Sequence, residues 1–159
     1  MRPYIDKLMP DAWSAAQSFS AEIRTAALKR GLTPAEFELI NVRASQINGC
    51  AFCLDLHARQ AREAGVPQQR LDLLSAWRET SIFTERECAL LAVAEAATRL
   101  PLSEDAKADL AGALTVLGDD TFVAAEWVAV AINAFNRVSI LSEHPVRPRD
   151  VSGKVVRQG

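Results

Sequence analysis

Thr33-Pro34-Ala35-Glu36, then Phe37-Glu38-Leu39-Ile40-Asn41-Val42-Arg43-Ala44-Ser45-Gln46-Ile47-Asn48-Gly49, then Cys50-Ala51-Phe52-Cys53-Leu54-Asp55-Leu56-His57 is the stretch on which the fold turns. Thr33 is an N-cap, Pro34 takes the first helical position and Glu36 completes a capping box, which accounts for Glu36 without chemistry. Phe37, Ile40, Ala44 and Ile47 then make a buried stripe, with Glu38 beside it on the face of Val42 and Ser45. Asn48-Gly49 tolerates positive φ and breaks the helix. A second helix is predicted from near Cys50 to Gly65, ahead of Pro67. On it Cys50, Cys53 and His57 follow the i, i+3, i+7 rule, so a dithiol and an imidazole share one inward face.

Outward from this pair the pattern stays helical. Asp11 is read as the cap of a helix running to about Arg30, with Gly31 as its stop. A short helix is expected from Pro67 to Trp77. Thr84-Glu85-Arg86-Glu87 is a second capping box and opens a helix to about Leu100, ended by Pro101. Ser103 caps a helix that stops at Gly118, and the last runs from Phe122 to about Leu141. That last segment is apolar nearly all round, which predicts burial on most sides, within the domain or between subunits. No period-2 alternation of β-branched residues is sustained. The expectation is an all-α, single-domain bundle of about six to seven helices over residues 1–145, with 146–159 as a tail, mobile or lying on a neighbour.

The 159 residues fit one domain, and a formal charge of −2 with interspersed signs leaves no basic stripe, which argues against nucleic acid. No apolar run reaches the roughly 18 residues a membrane span needs, and no signal-peptide pattern is seen at Met1-Arg2-Pro3-Tyr4, so a cytoplasmic protein is expected. Three cysteines are too few for a disulfide scaffold, and a Cys pair in a reducing compartment points to catalysis or metal. Zinc would find three ligands in Cys50, Cys53 and His57, with Cys88, His144 or Glu38 as fourth, but three ligands from one helix suit it poorly. No metal or other cofactor is therefore expected. Cys88 reads as a small core residue and His144 as a cap at the end of the last helix. Helix N-terminal amides favour a thiolate at Cys50, while His57, one turn past Cys53, favours one at Cys53. These two effects nominate different nucleophiles.

Glu38, Cys50, Cys53 and His57, with eleven, two and three residues between them, form a spacing that resembles the signature of the alkylhydroperoxidase D family, within the carboxymuconolactone decarboxylase-like superfamily. The likeness runs from about Leu8 to Pro145 and is supported at Ser75-Ala76-Trp77-Arg78-Glu79-Thr80 and at Ala131-Ile132-Asn133-Ala134-Phe135-Asn136-Arg137. It implies an all-helical thiol-dependent peroxidase of antioxidant defence that assembles as a homo-trimer or homo-hexamer. It also implies Cys53 as the cysteine that attacks the hydroperoxide, Cys50 as the resolving one, and Glu38 with His57 as the proton relay. The partners implied are a hydroperoxide and a thiol reductant, either a small thiol or a dithiol protein. Family members can carry a second histidine between the cysteines, where this chain has Phe52, so the relay implied here has one group fewer. Two other functions fit the same sequence: a carboxymuconolactone-type decarboxylase, which needs no dithiol, and a non-enzymatic redox-sensing or structural helical module.

Overall fold

In the computed structural model, residues 2–156 are described. They form seven α-helices and one 3-10 helix, with no strand among the described residues. The elements are α1 (Ile5–Leu8), α2 (Pro10–Lys29), α3 (Pro34–Asn48), α4 (Ala51–Glu63), α5 (Gln68–Leu73), a 3-10 helix (Leu74–Glu79), α6 (Glu85–Thr98) and α7 (Glu104–Leu141). Both capping boxes form. Thr33 Oγ1 accepts from Glu36 N at 3.2 Å while Glu36 Oε2 accepts from Thr33 N at 2.9 Å, and Thr84 with Glu87 does the same. Arg86 donates Nε to Glu36 Oε1 at 2.6 Å, so the start of α6 is tied to the start of α3.

One boundary differs from expectation. Pro10, not Asp11, begins α2, with Met9 at the N-cap position; proline has its φ preset for the first helical position and no N–H to leave unpaired there. The division expected at Gly118 holds: within α7 two helical segments meet at a kink, where Gly118 takes φ 71° and ψ 163°. Any side chain at that position would be strained in this left-handed region.

The centre of the domain is α3, every residue of which from Glu36 to Ser45 is buried. One side of it enters a core of Phe37 and Ile40 with Ile23 and Ala27 of α2, Leu90 and Val93 of α6 and Val128 of α7. Its other side enters a core of Leu39 and Val42 with Ala61, Leu71, Leu74, Trp77 and Leu91. Fully burying each large side chain contributes about 1.5–3 kcal/mol. Against α3 lie α6, buried throughout Ala89–Ala96, and α7. Both contribute alanines to one core cluster, Ala89 and Ala94 from α6 and Ala125 and Ala129 from α7, and small side chains let helix axes approach closely.

The predicted burial of the last helix on most sides does not hold within the single chain. Val123, Trp127 and Val130 remain 44–50% exposed, because α3 and α6 occupy the centre. Helix α3 can do so despite its polar residues because each of them is paired. About 140° round α3 from Glu38, Arg43 donates to Glu95 at 2.7–2.8 Å. Glu95 also accepts from Trp77 Nε1 at 3.0 Å and from Arg78 Nη2 at 3.1 Å. Burial pushes the Glu95 carboxyl up, but the hydrogen bonds from Trp77, Arg43 and Arg78 and the Arg43 charge outweigh it and hold the group below the usual carboxylate range.

Beyond α7 the chain turns back on itself. Asp150 Oδ1 accepts from Ser152 N and Lys154 N, and the Arg149 guanidinium lies 3.4 Å from Asp55 of α4. The end of the expected tail, 157–159, lies outside the described residues.

Candidate active site

The site is built on the turn between α3 and α4. Gly49 caps α3 at φ 67°, ψ 31°, and Cys50 N donates back to Ser45 O at 3.1 Å, the 6→1 bond of a Schellman-type stop. This left-handed step folds α4 back along α3. Asn48 fixes it in place by donating to Asn133 Oδ1 and Asn136 Oδ1 of α7, both at 2.8 Å. Asn136, fully buried, donates in turn to Ser45 Oγ at 3.0 Å, and Asn133 to Thr98 Oγ1 of α6 at 2.9 Å. The segment Ala131–Arg137 thus contributes a polar clamp under the turn.

Cys50 is the N-cap of α4 rather than a residue within it, and its sulfur accepts from Cys53 N at 3.3 Å. The two cysteines are joined as a disulfide, with Cα atoms 5.3 Å apart, within the span such a bond requires. Cys53 and His57 are one turn apart on α4. Opposite them Glu38, 2% exposed, places Oε2 2.8 Å from His57 Nδ1. A carboxylate only accepts, so Nδ1 carries a proton in this contact and Nε2 is left without a partner among the described residues. Glu38 also accepts from Asn41 Nδ2 at 3.2 Å and from Arg24 Nη1 of α2 at 3.3 Å. These contacts hold the carboxyl in place, and it in turn orients the imidazole.

Cys53, His57, Glu38, Asn41 and Arg24 line a cavity of about 800 Å³. Its walls are mostly apolar, from Trp13 and Ile23 of α2, Phe37 of α3, Leu56 of α4 and Ile132 and Phe135 of α7. Cys50, 1% exposed, does not reach it. All four residues singled out in the sequence are therefore brought together, in two contacts: Glu38 with His57, and Cys50 with Cys53.

Three neighbours were not legible beforehand. Arg24 and Asn41 carry no motif, and only the packing of α2 on α3 brings Arg24 to Glu38. His144, read as a helix cap, turns its ring inward: Nε2 lies 3.2 Å from Asp6 Oδ1, and both residues line the cavity. Cys88 belongs to the core around Phe83, its sulfur 3.9 Å from Phe83 O; burial, then the Glu87 charge, pushes its thiol up. Among the described residues no three His, Cys, Asp or Glu side chains group as a metal-binding set.

Comparison with known proteins agrees with this architecture. Residues 14–96 match the carboxymuconolactone decarboxylase family. The uncharacterized protein YdfG of Bacillus subtilis (strain 168) is 35% identical over 103 residues, 65% of this chain and 70% of that protein. The alkyl hydroperoxide reductase AhpD of Methylobacterium sp. (strain 4-46) is 37% identical over 67 residues, 42% of this chain and 37% of that one. A crystal structure from Agrobacterium tumefaciens, ATU0492, a protein of unknown function described provisionally as an antioxidant defence protein of the AhpD kind, superposes with a TM-score of 0.78 at 33% identity. That match covers 91% of this chain and 98% of the other. The chain belongs to the carboxymuconolactone decarboxylase family and has the alkylhydroperoxidase D-like fold.

Proposed function

We propose that this chain is a thiol-dependent peroxidase that reduces hydroperoxides through a Cys50–Cys53 dithiol/disulfide cycle, in the service of antioxidant defence. The observation that carries the reading is the convergence of Cys53 and the Glu38–His57 pair on one cavity from which Cys50 is shut out. In the reduced protein His57, held by Glu38, takes the Cys53 proton, and the thiolate attacks the terminal oxygen of the hydroperoxide. The O–O bond breaks, sulfur loses two electrons, and the departing oxygen takes up a proton to leave as alcohol or water. Cys53 is then a sulfenic acid, which Cys50, already within disulfide span, displaces with loss of water. A small thiol or a dithiol protein returns the pair to the dithiol by exchange. This cycle suits a reducing cytoplasm.

The reading extends to assembly as a homo-trimer or homo-hexamer, supported by the exposed Val123, Trp127 and Val130 along α7, an apolar line of the kind that marks an interface. A peroxide-consumption assay with several thiol donors, run beside Cys53→Ser, tests the activity. Turnover that needs a thiol donor and disappears in Cys53→Ser supports it, whereas consumption unaffected by Cys53→Ser rejects it.

A further inference from the structure

The chain has two histidines in 159 residues, and both line the cavity that holds Cys53. Each is paired with a carboxylate: His57 with Glu38 across α4 and α3, and His144 with Asp6 across the end of α7 and α1. The second pair is well shielded, each side chain being 13% exposed. The His144 ring meets the ring edges of Phe52 at 5.3 Å and Tyr4 at 5.1 Å, so it is held on the α4 side of the cavity next to the residue preceding Cys53. Asp6 accepts at Nε2, which leaves Nδ1 without a hydrogen bond among the described residues. Tethering the chain ends does not by itself require this pair, because Ile5 N already donates to Ser142 Oγ at 3.2 Å.

We propose that Asp6–His144 is a second carboxylate–imidazole pair of the same site, which binds the leaving oxygen of an organic hydroperoxide and donates the proton that completes O–O cleavage. The inference rests on the peroxidase reading above. In the step, Cys53 sulfur forms a bond to the terminal oxygen, which keeps its hydrogen and becomes the sulfenic acid. The O–O bond breaks with its electron pair on the alkoxide. The His144 imidazolium, with Nε2–H held by Asp6, passes the Nδ1 proton to that alkoxide, giving the alcohol, and is reprotonated from solvent. The apolar walls of Trp13, Ile132 and Phe135 would then receive the organic body of the substrate.

The leaving group provides the test. An alkoxide needs a proton to depart, whereas the carboxylate released by a peroxycarboxylic acid does not. Single-turnover oxidation of Cys53 should slow by about tenfold or more with cumene hydroperoxide in His144→Gln and in Asp6→Asn, and by far less with peracetic acid. Equal slowing with both oxidants would reduce the pair to a structural role, and no slowing would remove it from the site. Wild-type protein that keeps all its thiols with either oxidant would instead reject the peroxidase reading, and this inference with it. Should the variants fail to fold, imidazole NMR of the wild-type protein, which has only two histidine signals to follow, decides the matter. Titration with 2-phenylpropan-2-ol, the alcohol product, should shift both His57 and His144 saturably, and a shift confined to His57, or none, overturns the proposal.

Discussion

Glu38 and His57 stand 19 positions apart in the chain and 2.8 Å apart in the fold, carboxylate to imidazole, in a contact that depends on the left-handed turn at Gly49. Replacing Glu38 with Gln preserves the size of the side chain but exchanges the carboxylate that accepts from His57 Nδ1 for an amide. Oxidation of Cys53 by a hydroperoxide should slow by about a hundredfold, as followed by stopped-flow fluorescence, with a thermal melt showing that the fold persists. A rate within twofold of wild type would show that the pair plays no part in the chemistry.

Cys53 lines the cavity and Cys50 does not. In Cys50→Ser, one equivalent of hydroperoxide should therefore leave a sulfenic acid on Cys53 that a dimedone probe captures, as read by peptide mass spectrometry. In Cys53→Ser, labelling of Cys50 should be slower by an order of magnitude or more. The reverse pattern would favour the nucleophile that the helix amides at Cys50 nominate.

On the far side of α3, Glu95 gathers Arg43, Trp77 and Arg78. Its folded-state value lies below the ordinary 4.5, so the stability it contributes is fully present above that pH and is lost as pH falls through the lower folded value. Glu95→Gln leaves the buried Arg43 without its counter-charge, at a cost of about 3 kcal/mol at pH 7. Urea melts across a pH series should show the gap between variant and wild type closing below pH 4.5 as the wild-type carboxylate protonates. A gap independent of pH would contradict the ionic account.

Trp127 is half-exposed between Val123 and Val130 on α7, and Phe19 of α2 packs against it edge-on at 6.0 Å. If this line is the subunit contact, light scattering should give a mass several times the 17.3 kDa of one chain, and Trp127→Glu should shift the protein toward monomer. A wild-type monomer at micromolar concentration would contradict the assembly.

Much of the fold could be read from local chemistry. The capping boxes at Thr33 and Thr84, the Ser103 cap and the stops at Gly49 and Pro101 are set by side chains acting within one turn of their own backbone, which is why they appear in sequence. Glu38 and His57 were singled out through the spacing they share with Cys50 and Cys53, which resembles a family signature, and not through any local pattern of their own. What was not legible came from distant segments. Burial of α3 depends on Arg43 finding Glu95, 52 positions away, and no local pattern announces such a partner; apolarity alone pointed to the last helix, as buried either within the domain or between subunits. Arg24 and the Asp6–His144 pair, the latter 138 positions apart, reach the cavity only through the packing of α1, α2 and α7.

The central claim is that Cys50 and Cys53 act as one two-electron unit on a hydroperoxide. Its most direct test is the thiol titre of the fully reduced protein, which contains three cysteines, before and after one equivalent of hydroperoxide. The account predicts a fall from three thiols to one, with Cys88 remaining free and a Cys50–Cys53 disulfide identified in the peptide map. A titre that stays at three would contradict it.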